Sequence, residues 1–209
     1  MTTAATSEAF FERKYRADAD PWNFATSPYE QQRYEIILRA IDHRRYHRAL
    51  EPGCSVGVLT CGLASICDEV EAFDIAPSAV AAARERCTGM NNVHLSCKPL
   101  SEDRSAGPFD LIVLSEIGYY FEVVELRRIA ISLMARLLEG GVIIAAHWLG
   151  TSSDHFLAGD AVHDVLRSAF EQEDLVLELA DSYPGFRMDR WTKVRRPGHQ
   201  PAKGQQVKA

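Results

Sequence analysis

Apolar positions recur every three or four residues in some stretches of the chain and alternate or run unbroken in others, and the two rhythms take turns. Residues 8–27 carry Phe10, Phe11, Tyr15, Trp22 and Phe24 among Arg and Asp, too aromatic for a free tail, so this stretch is expected to pack on the rest. Ser27-Pro28 opens a helix: Ser suits the cap, Pro the first turn, and Glu30 sits early. Tyr34, Ile37, Leu38 and Ile41 then recur at helical spacing. Residues 47–51 read as a short strand before a glycine turn, 57–66 as a helix and 69–75 as a strand. Pro77 and Ser78 start an alanine-rich helix, and 92–97 is a strand. Residues 109–115 form an unbroken apolar run, the mark of a strand buried on both faces of a parallel sheet. An amphipathic helix is predicted over 123–139, stopping at Gly140-Gly141, then a buried strand over 142–148 and a helix over 158–170. Residues 175–179 and 188–194 alternate and read as a final antiparallel pair.

Strand–helix alternation through five units predicts an α/β fold: one doubly wound, mostly parallel seven-stranded sheet with helices on both faces and a C-terminal antiparallel strand pair. Residues 1–45 are expected to form a helical extension or lid packed on the core, 46–196 the core domain and 197–209 a flexible tail. Residues 1–7 are expected to be disordered. Ligands of such sheets sit beyond the carboxyl ends of the strands, where strand order reverses.

Composition narrows the function. The 209 residues suffice for one well-buried domain. A formal net charge of -6 speaks against a nucleic-acid partner, whose phosphates demand a basic face. The late cluster Lys193, Arg195 and Arg196 reads as a solvated strand end. Five cysteines, odd in number and without CxxC spacing, read as free thiols in a reducing compartment. The N-terminal residues lack the basic start and apolar core of a signal peptide, and no apolar run approaches the roughly 20 residues of a membrane span. A soluble, cytoplasmic protein is expected. The spacing of His147, Asp154, His155, His163 and Asp164 matches no metal template; solvated loop or helix positions account for them, and no metal is expected.

The first predicted strand ends in Leu50-Glu51-Pro52-Gly53-Cys54-Ser55-Val56-Gly57. A tight strand-to-helix turn needs positive φ or close backbone approach, and Gly supplies both. The second strand ends in Phe73-Asp74, followed by Ile75; an acidic side chain there accepts both hydroxyls of a ribose. In these residues the chain resembles the class I S-adenosylmethionine methyltransferases, whose first motif is E/D-x-G-x-G-x-G. It matches at Glu51, Gly53 and Gly57 and departs at Ser55. The resemblance, over about residues 46–148, implies Glu51 near the methionine amino end of the cofactor, Gly53 and Gly57 beside it, Asp74 on the ribose, and adenine against Pro99, Leu100 and Ser101. The rival is a nicotinamide-dependent oxidoreductase. Its G-x-G-x-x-G fingerprint does not fit Gly53–Gly57, and a diphosphate needs closer backbone approach at the middle position than Ser55 allows.

The fourth strand runs through Ser115 into Glu116, Ile117, Gly118, Tyr119, Tyr120 and Phe121, and the fifth into His147 and Trp148. Both ends open toward the transferred group. In-line displacement requires alignment, exclusion of water and removal of one proton. Glu116, Tyr120 and His147 are the candidate catalytic residues. Tyr119, Tyr120 and Trp148 are candidates for an aromatic platform under an acceptor, and Ser115 joins the cofactor set. His147 fits equally a satisfied histidine near the core, and Tyr119, Tyr120 and Phe121 fit packing equally well. From the N-terminal extension, Trp22 and Tyr34 are placed to shield the cofactor, and Arg33 to pair with its carboxylate.

The stretches Phe11–Tyr15, Asp20–Phe24, Ser27–Tyr34 and Leu50–Gly57, with the length, resemble the rhizobial nodulation methyltransferases of the NodS family through nearly the whole chain. That resemblance implies S-adenosylmethionine as methyl donor, S-adenosylhomocysteine as product, and as acceptor the free amine of the non-reducing-end glucosamine of a de-N-acetylated chitooligosaccharide. A sugar amine is less basic than lysine, so only modest base assistance is needed, and an acidic protein suits it. Other readings are a small-molecule methyltransferase with another acceptor, the oxidoreductase, and a cofactor-binding regulator without catalysis.

Overall fold

The computed structural model describes residues 7–41, 44–103, 105–172 and 174–194. The chain opens with two helices, α1 (Glu8–Ala17) and α2 (Pro28–Ala40). Ser7, expected in a disordered tail, instead caps α1 and accepts from Phe10 N at 3.3 Å. Residues 1–6 and 195–209, with the tail and Arg195 and Arg196, lie outside the described residues. α1 buries Phe11 and Tyr15, spaced four apart on one face. Ser27 precedes α2 as expected, but its backbone carbonyl, not its side chain, is used: it accepts from Gln31 N at 3.0 Å.

The alternating core follows: β1 (Tyr46–Pro52), α3 (Val58–Ile66), β2 (Cys67–Asp74), α4 (Pro77–Arg86), β3 (Val93–Cys97), β4 (Phe109–Ser115), α5 (Val123–Ala135), β5 (Leu137–Trp148), α6 (Gly159–Phe170), β6 (Leu175–Tyr183) and β7 (Phe186–Lys193). The sheet order is β3-β2-β1-β4-β5-β7-β6. The first five strands pair in parallel; β7 runs antiparallel to both β5 and β6. This is the doubly wound, mostly parallel seven-stranded sheet that the alternation predicts. Strand order reverses between β1 and β4, which places a crevice at their carboxyl ends.

Successive residues of β4 feed opposite layers. Ile112 and Leu114 pack with α5 and α6 residues such as Leu133, Leu166 and Phe170, while Leu111 and Val113 pack with Ile37, Leu59 and Leu63 of α2 and α3. Burial on both faces explains why this strand carries no polar alternation. Several boundaries differ from the sequence reading, and β5, expected from residue 142, begins at Leu137. The helix predicted to residue 139 ends at Ala135, because Leu137 pairs with Phe109 and Arg136 O accepts Phe109 N at 2.9 Å. The final strands are longer than expected and turn at Gly185, where φ is 91°. Lys193, read as a solvated end, donates to Met134 O and Leu137 O at 2.9 and 2.8 Å, joining the last turn of α5 to the start of β5.

Candidate active site

A cavity of about 370 Å³ lies at the switch point, beyond β1, β2 and β4 and beneath α1. Its floor is the turn after β1. Gly53 N and Cys54 N both donate to Phe73 O, at 2.7 and 3.0 Å, folding the turn onto the end of β2. Three residues of this turn are left-handed: Gly53 (φ 73°), Ser55 (φ 49°) and Gly57 (φ 79°). Ser55, standing where the motif has its middle glycine, takes a conformation that costs an L-residue about 1 kcal/mol. Its side chain has a purpose there: Ser55 Oγ accepts from Tyr15 OH at 2.6 Å, joining the turn to α1.

Asp74 receives Ser55 N on Oδ2 at 3.0 Å and Ala76 N on Oδ1 at 2.9 Å. Burial nonetheless dominates and pushes its carboxyl up to about 6. Glu51 is 3% exposed, accepts from Thr60 Oγ1 at 2.6 Å, and is pushed up to about 8 by burial. Both carboxylates face desolvation without a cation beside them among the described residues, so a cationic ligand is what their charged forms call for. Ile75, Leu100 and Ser101 line the adjacent wall, with Leu100–Glu102 forming a 3₁₀ turn. Ser115 also lines the cavity, and its hydroxyl is buried with no hydrogen-bond partner among the described residues.

Glu116, at the end of β4, is left-handed (φ 56°). Its Oε1 accepts Trp148 N at 2.7 Å and lies 2.9 Å from Arg33 Nη1; its Oε2 accepts Tyr119 OH at 2.7 Å. The carboxylate thus ties α2, the end of β5 and the 3₁₀ turn Gly118–Tyr120 together. Tyr119 stacks on His155 at 3.7 Å, and Tyr120 meets Phe11 of α1 edge-on at 4.9 Å. Over the cavity, Trp22 packs with Tyr15 and stacks on Phe24. Glu12 anchors α1 by accepting from Ser78 N and Ser78 Oγ at 2.9 and 2.7 Å, and Lys14 pairs with Asp154 at 2.6 Å.

Of the residues singled out from sequence, Trp22, Glu51, Gly53, Asp74 and Ile75 line the cavity together with Leu100, Ser101, Ser115, Glu116, Tyr119 and Tyr120. Four do not. Arg33 is fully buried behind Glu116, paired with Glu30 and Glu116 and faced by the rings of Phe24, Tyr29 and Tyr34, so its charge is already matched within the chain. Gly57 serves helix packing: a Cβ there would sit 3.0 Å from Ala83 Cβ. Trp148 reaches the site only through its backbone N–H. His147 is fully buried with both ring nitrogens engaged, by Gly118 N at 3.0 Å and His163 at 3.2 Å. Of the two options the sequence leaves open for it, the structure takes the satisfied histidine. His163, read as solvated, is also fully buried and lies 3.0 Å from Asp189.

Sequence reasoning missed the remaining acidic lining, Glu8, Glu102 and Glu125, because these residues come from separate elements. It also missed the Tyr15–Ser55 contact, whose one visible sign is Tyr15 four residues after Phe11. No three His, Cys, Asp or Glu among the described residues are grouped to hold a metal, and no described helix is long and apolar enough to cross a membrane.

Comparison with known proteins places this geometry among relatives. Nodulation protein S of Sinorhizobium fredii is 31% identical over 123 residues, 58% of this chain and 57% of that protein. Nodulation protein S of Bradyrhizobium diazoefficiens is 32% identical over 146 residues, 68% of each chain. The match therefore spans little more than half the length of the first relative. The crystal structure of the N-methyltransferase NodS from Bradyrhizobium japonicum, in complex with S-adenosyl-L-homocysteine, superposes with a TM-score of 0.77 over 90% of this chain and 98% of that one, at 22% identity, and shares its fold. The family model for nodulation protein S (NodS) matches residues 3–175, and the chain belongs to that family.

Proposed function

We propose that this chain is an S-adenosylmethionine-dependent N-methyltransferase that methylates the free amine of the non-reducing-end glucosamine of a de-N-acetylated chitooligosaccharide. The charge of the cavity wall carries the donor half of this reading. Among the described residues Glu8, Glu51, Asp74, Glu102, Glu116 and Glu125 line it, against Lys98 as the one cation, and Lys98 is spent on Asp103 at 2.7 Å. Such a wall favours a sulfonium, an ammonium and a ribose diol, and repels the diphosphate of a nicotinamide dinucleotide. The acceptor half is inherited from family membership and from the same acidity, which suits an amine.

The residues divide the work. Asp74 is placed for the ribose hydroxyls, Glu51 for the amino end, and Leu100 and Ser101 for the adenine, while Ser115 brings an uncommitted hydroxyl. When bound, the cofactor supplies an electrophilic methyl group on sulfur. Trp22 and Phe11, held down by Glu12 and Lys14, keep water from it. Two donors occupy Oε1 of Glu116 and one occupies Oε2, so Oε2 keeps a lone pair for an amine N–H. Tyr120 offers its ring to a pyranose face. In this reading residues 1–45 are the lid and 46–196 the catalytic core. Five free cysteines agree with a reducing, cytoplasmic setting.

Calorimetric titration of S-adenosylhomocysteine tests the donor site. Wild type should bind it and ignore NADH, and Asp74→Ala should lose roughly tenfold or more in affinity. A chitooligosaccharide with a free terminal amine should then be methylated, and its fully acetylated counterpart should not. NADH binding, or no S-adenosylhomocysteine binding, would sink the reading.

A further inference from the structure

Behind the acceptor wall lies a chain of buried polar groups that the proposed reaction does not use. Gly118 N donates to His147 Nε2 at 3.0 Å; His147 Nδ1 lies 3.2 Å from His163 Nε2; His163 Nδ1 lies 3.0 Å from Asp189 Oδ2. All three side chains are fully buried. Asp189 is matched by Arg187, whose Nε and Nη2 reach its two oxygens at 3.1 and 3.0 Å. Arg187 in turn faces Asp160 and Asp164 near the surface.

The direction of this chain is forced. A backbone N–H can only donate, so His147 Nε2 must be bare and Nδ1 must carry the proton. That proton needs an acceptor, so His163 Nε2 is bare and its Nδ1 carries the proton beside the Asp189 carboxylate, a close polar contact without hydrogen-bond alignment. Burial and the neighbouring His163, Arg33 and His155 hold His147 well below the ordinary histidine range, in agreement with a neutral ring. Three fully buried polar side chains confer no general advantage over apolar ones of similar volume. Their terminus tells more. A Cβ on Gly118 would lie 2.4 Å from Val162 Cγ1 and 2.9 Å from His147 Nε2, so only glycine admits the contact. Gly118 opens the turn that carries Tyr119, and Tyr119 OH donates to Glu116.

We propose that Asp189, His163 and His147 are positioning residues for methyl transfer, a one-way relay of polar contacts that fixes the turn Gly118–Tyr120 and, through Tyr119, the carboxylate of Glu116. The assignment rests on the methyltransferase reading for its consequence, but not for its geometry. Asp189→Asn is the decisive variant. Its single amide oxygen must serve the three donors that share the carboxylate, Arg187 Nε, Arg187 Nη2 and His163 Nδ1; in either orientation an amide N–H meets one of these donors, and the anchor of the relay loosens. The same logic makes a carboxylate the tautomer-setting partner of histidine in catalytic triads.

The test uses the full chain with ¹⁵N-labelled histidine and glycine. In wild type both rings should be neutral Nδ1–H tautomers, and the Gly118 amide should exchange slowly. Asp189→Asn should loosen the relay, speeding Gly118 exchange at least about tenfold and lowering kcat on the aminosugar at least about tenfold, with acceptor KM and S-adenosylhomocysteine affinity nearly unchanged. Leu63→Ala, buried in α3 in the layer on the other face of the sheet, should lower stability while leaving Gly118 exchange and kcat in place. A wild-type His147 protonated on Nε2, full turnover in Asp189→Asn, or an equal loss of kcat in Leu63→Ala would overturn the relay. If wild type methylates no aminosugar, the function reading fails by itself, and ring tautomers with Gly118 exchange still decide the relay.

Discussion

At the scale of single residues, the site is made by side chains in backbone conformations they do not prefer. Ser55 and Glu116 are left-handed without being glycine. Each is held by partners far along the chain, Tyr15 for the first and Arg33 with Trp148 for the second. Strain gathered at a ligand-binding turn and offset elsewhere is a frequent property of functional sites. Gly57 is the opposite case, where glycine is required: Gly57→Ala adds a strained φ of 79° to a Cβ 3.1 Å from the Ala83 backbone. It should destabilise by about 2 kcal/mol or more, seen as a lower denaturation midpoint at unchanged m-value. Glu51 and Asp74 were legible because strand ends announce themselves. Arg33 was not: its partner Glu116 is distant in sequence, and no local pattern says that a buried guanidinium is already paired.

At the scale of elements, periodicity located the β4 run to the residue, because burial on both faces leaves an unbroken apolar string. It overran α5 because Leu133, Met134 and Leu137 continue the helical spacing, and only the pairing of Leu137 with Phe109 decides that the chain has become a strand. α6 shows the converse. His163 falls three and seven residues before Leu166 and Phe170, on the buried face, so spacing marked it as internal although its residue type argued for water. α1 is joined to the core by few polar contacts. Among the described residues Glu12, Lys14 and Tyr15 hold it by four of them, and its apolar side rests on the cavity rim. A lid must open for exchange. Limited proteolysis should therefore cut before residue 34 in the free chain and be slowed by S-adenosylhomocysteine. Equal cutting in both samples would show that α1 does not respond to the ligand.

For the whole molecule, charge governs. The free chain holds Glu51 and Asp74 with carboxyls raised to about 8 and about 6, from ordinary values of 4.5 and 3.8. A raised acid binds more protons folded than unfolded, so these two groups lower stability as pH climbs from about 4 to about 8. A ligand bearing an ammonium reverses the balance by favouring the ionised forms. Binding of S-adenosylhomocysteine near pH 7 should thus release protons, measured as heats that differ between buffers of unequal protonation enthalpy. Identical heats would mean that both carboxylates are already ionised. The three tryptophans divide along the same architecture. Trp191 is sealed in the sheet core against Phe170, Trp148 stands off the cavity at the end of β5, and Trp22 lies on the cavity rim, stacked on Phe24 with the Lys14 ammonium 5.4 Å from its ring. One indole therefore stands where a ligand enters and two in the frame, so the chain's own ultraviolet emission separates an event at the lid from one in the core.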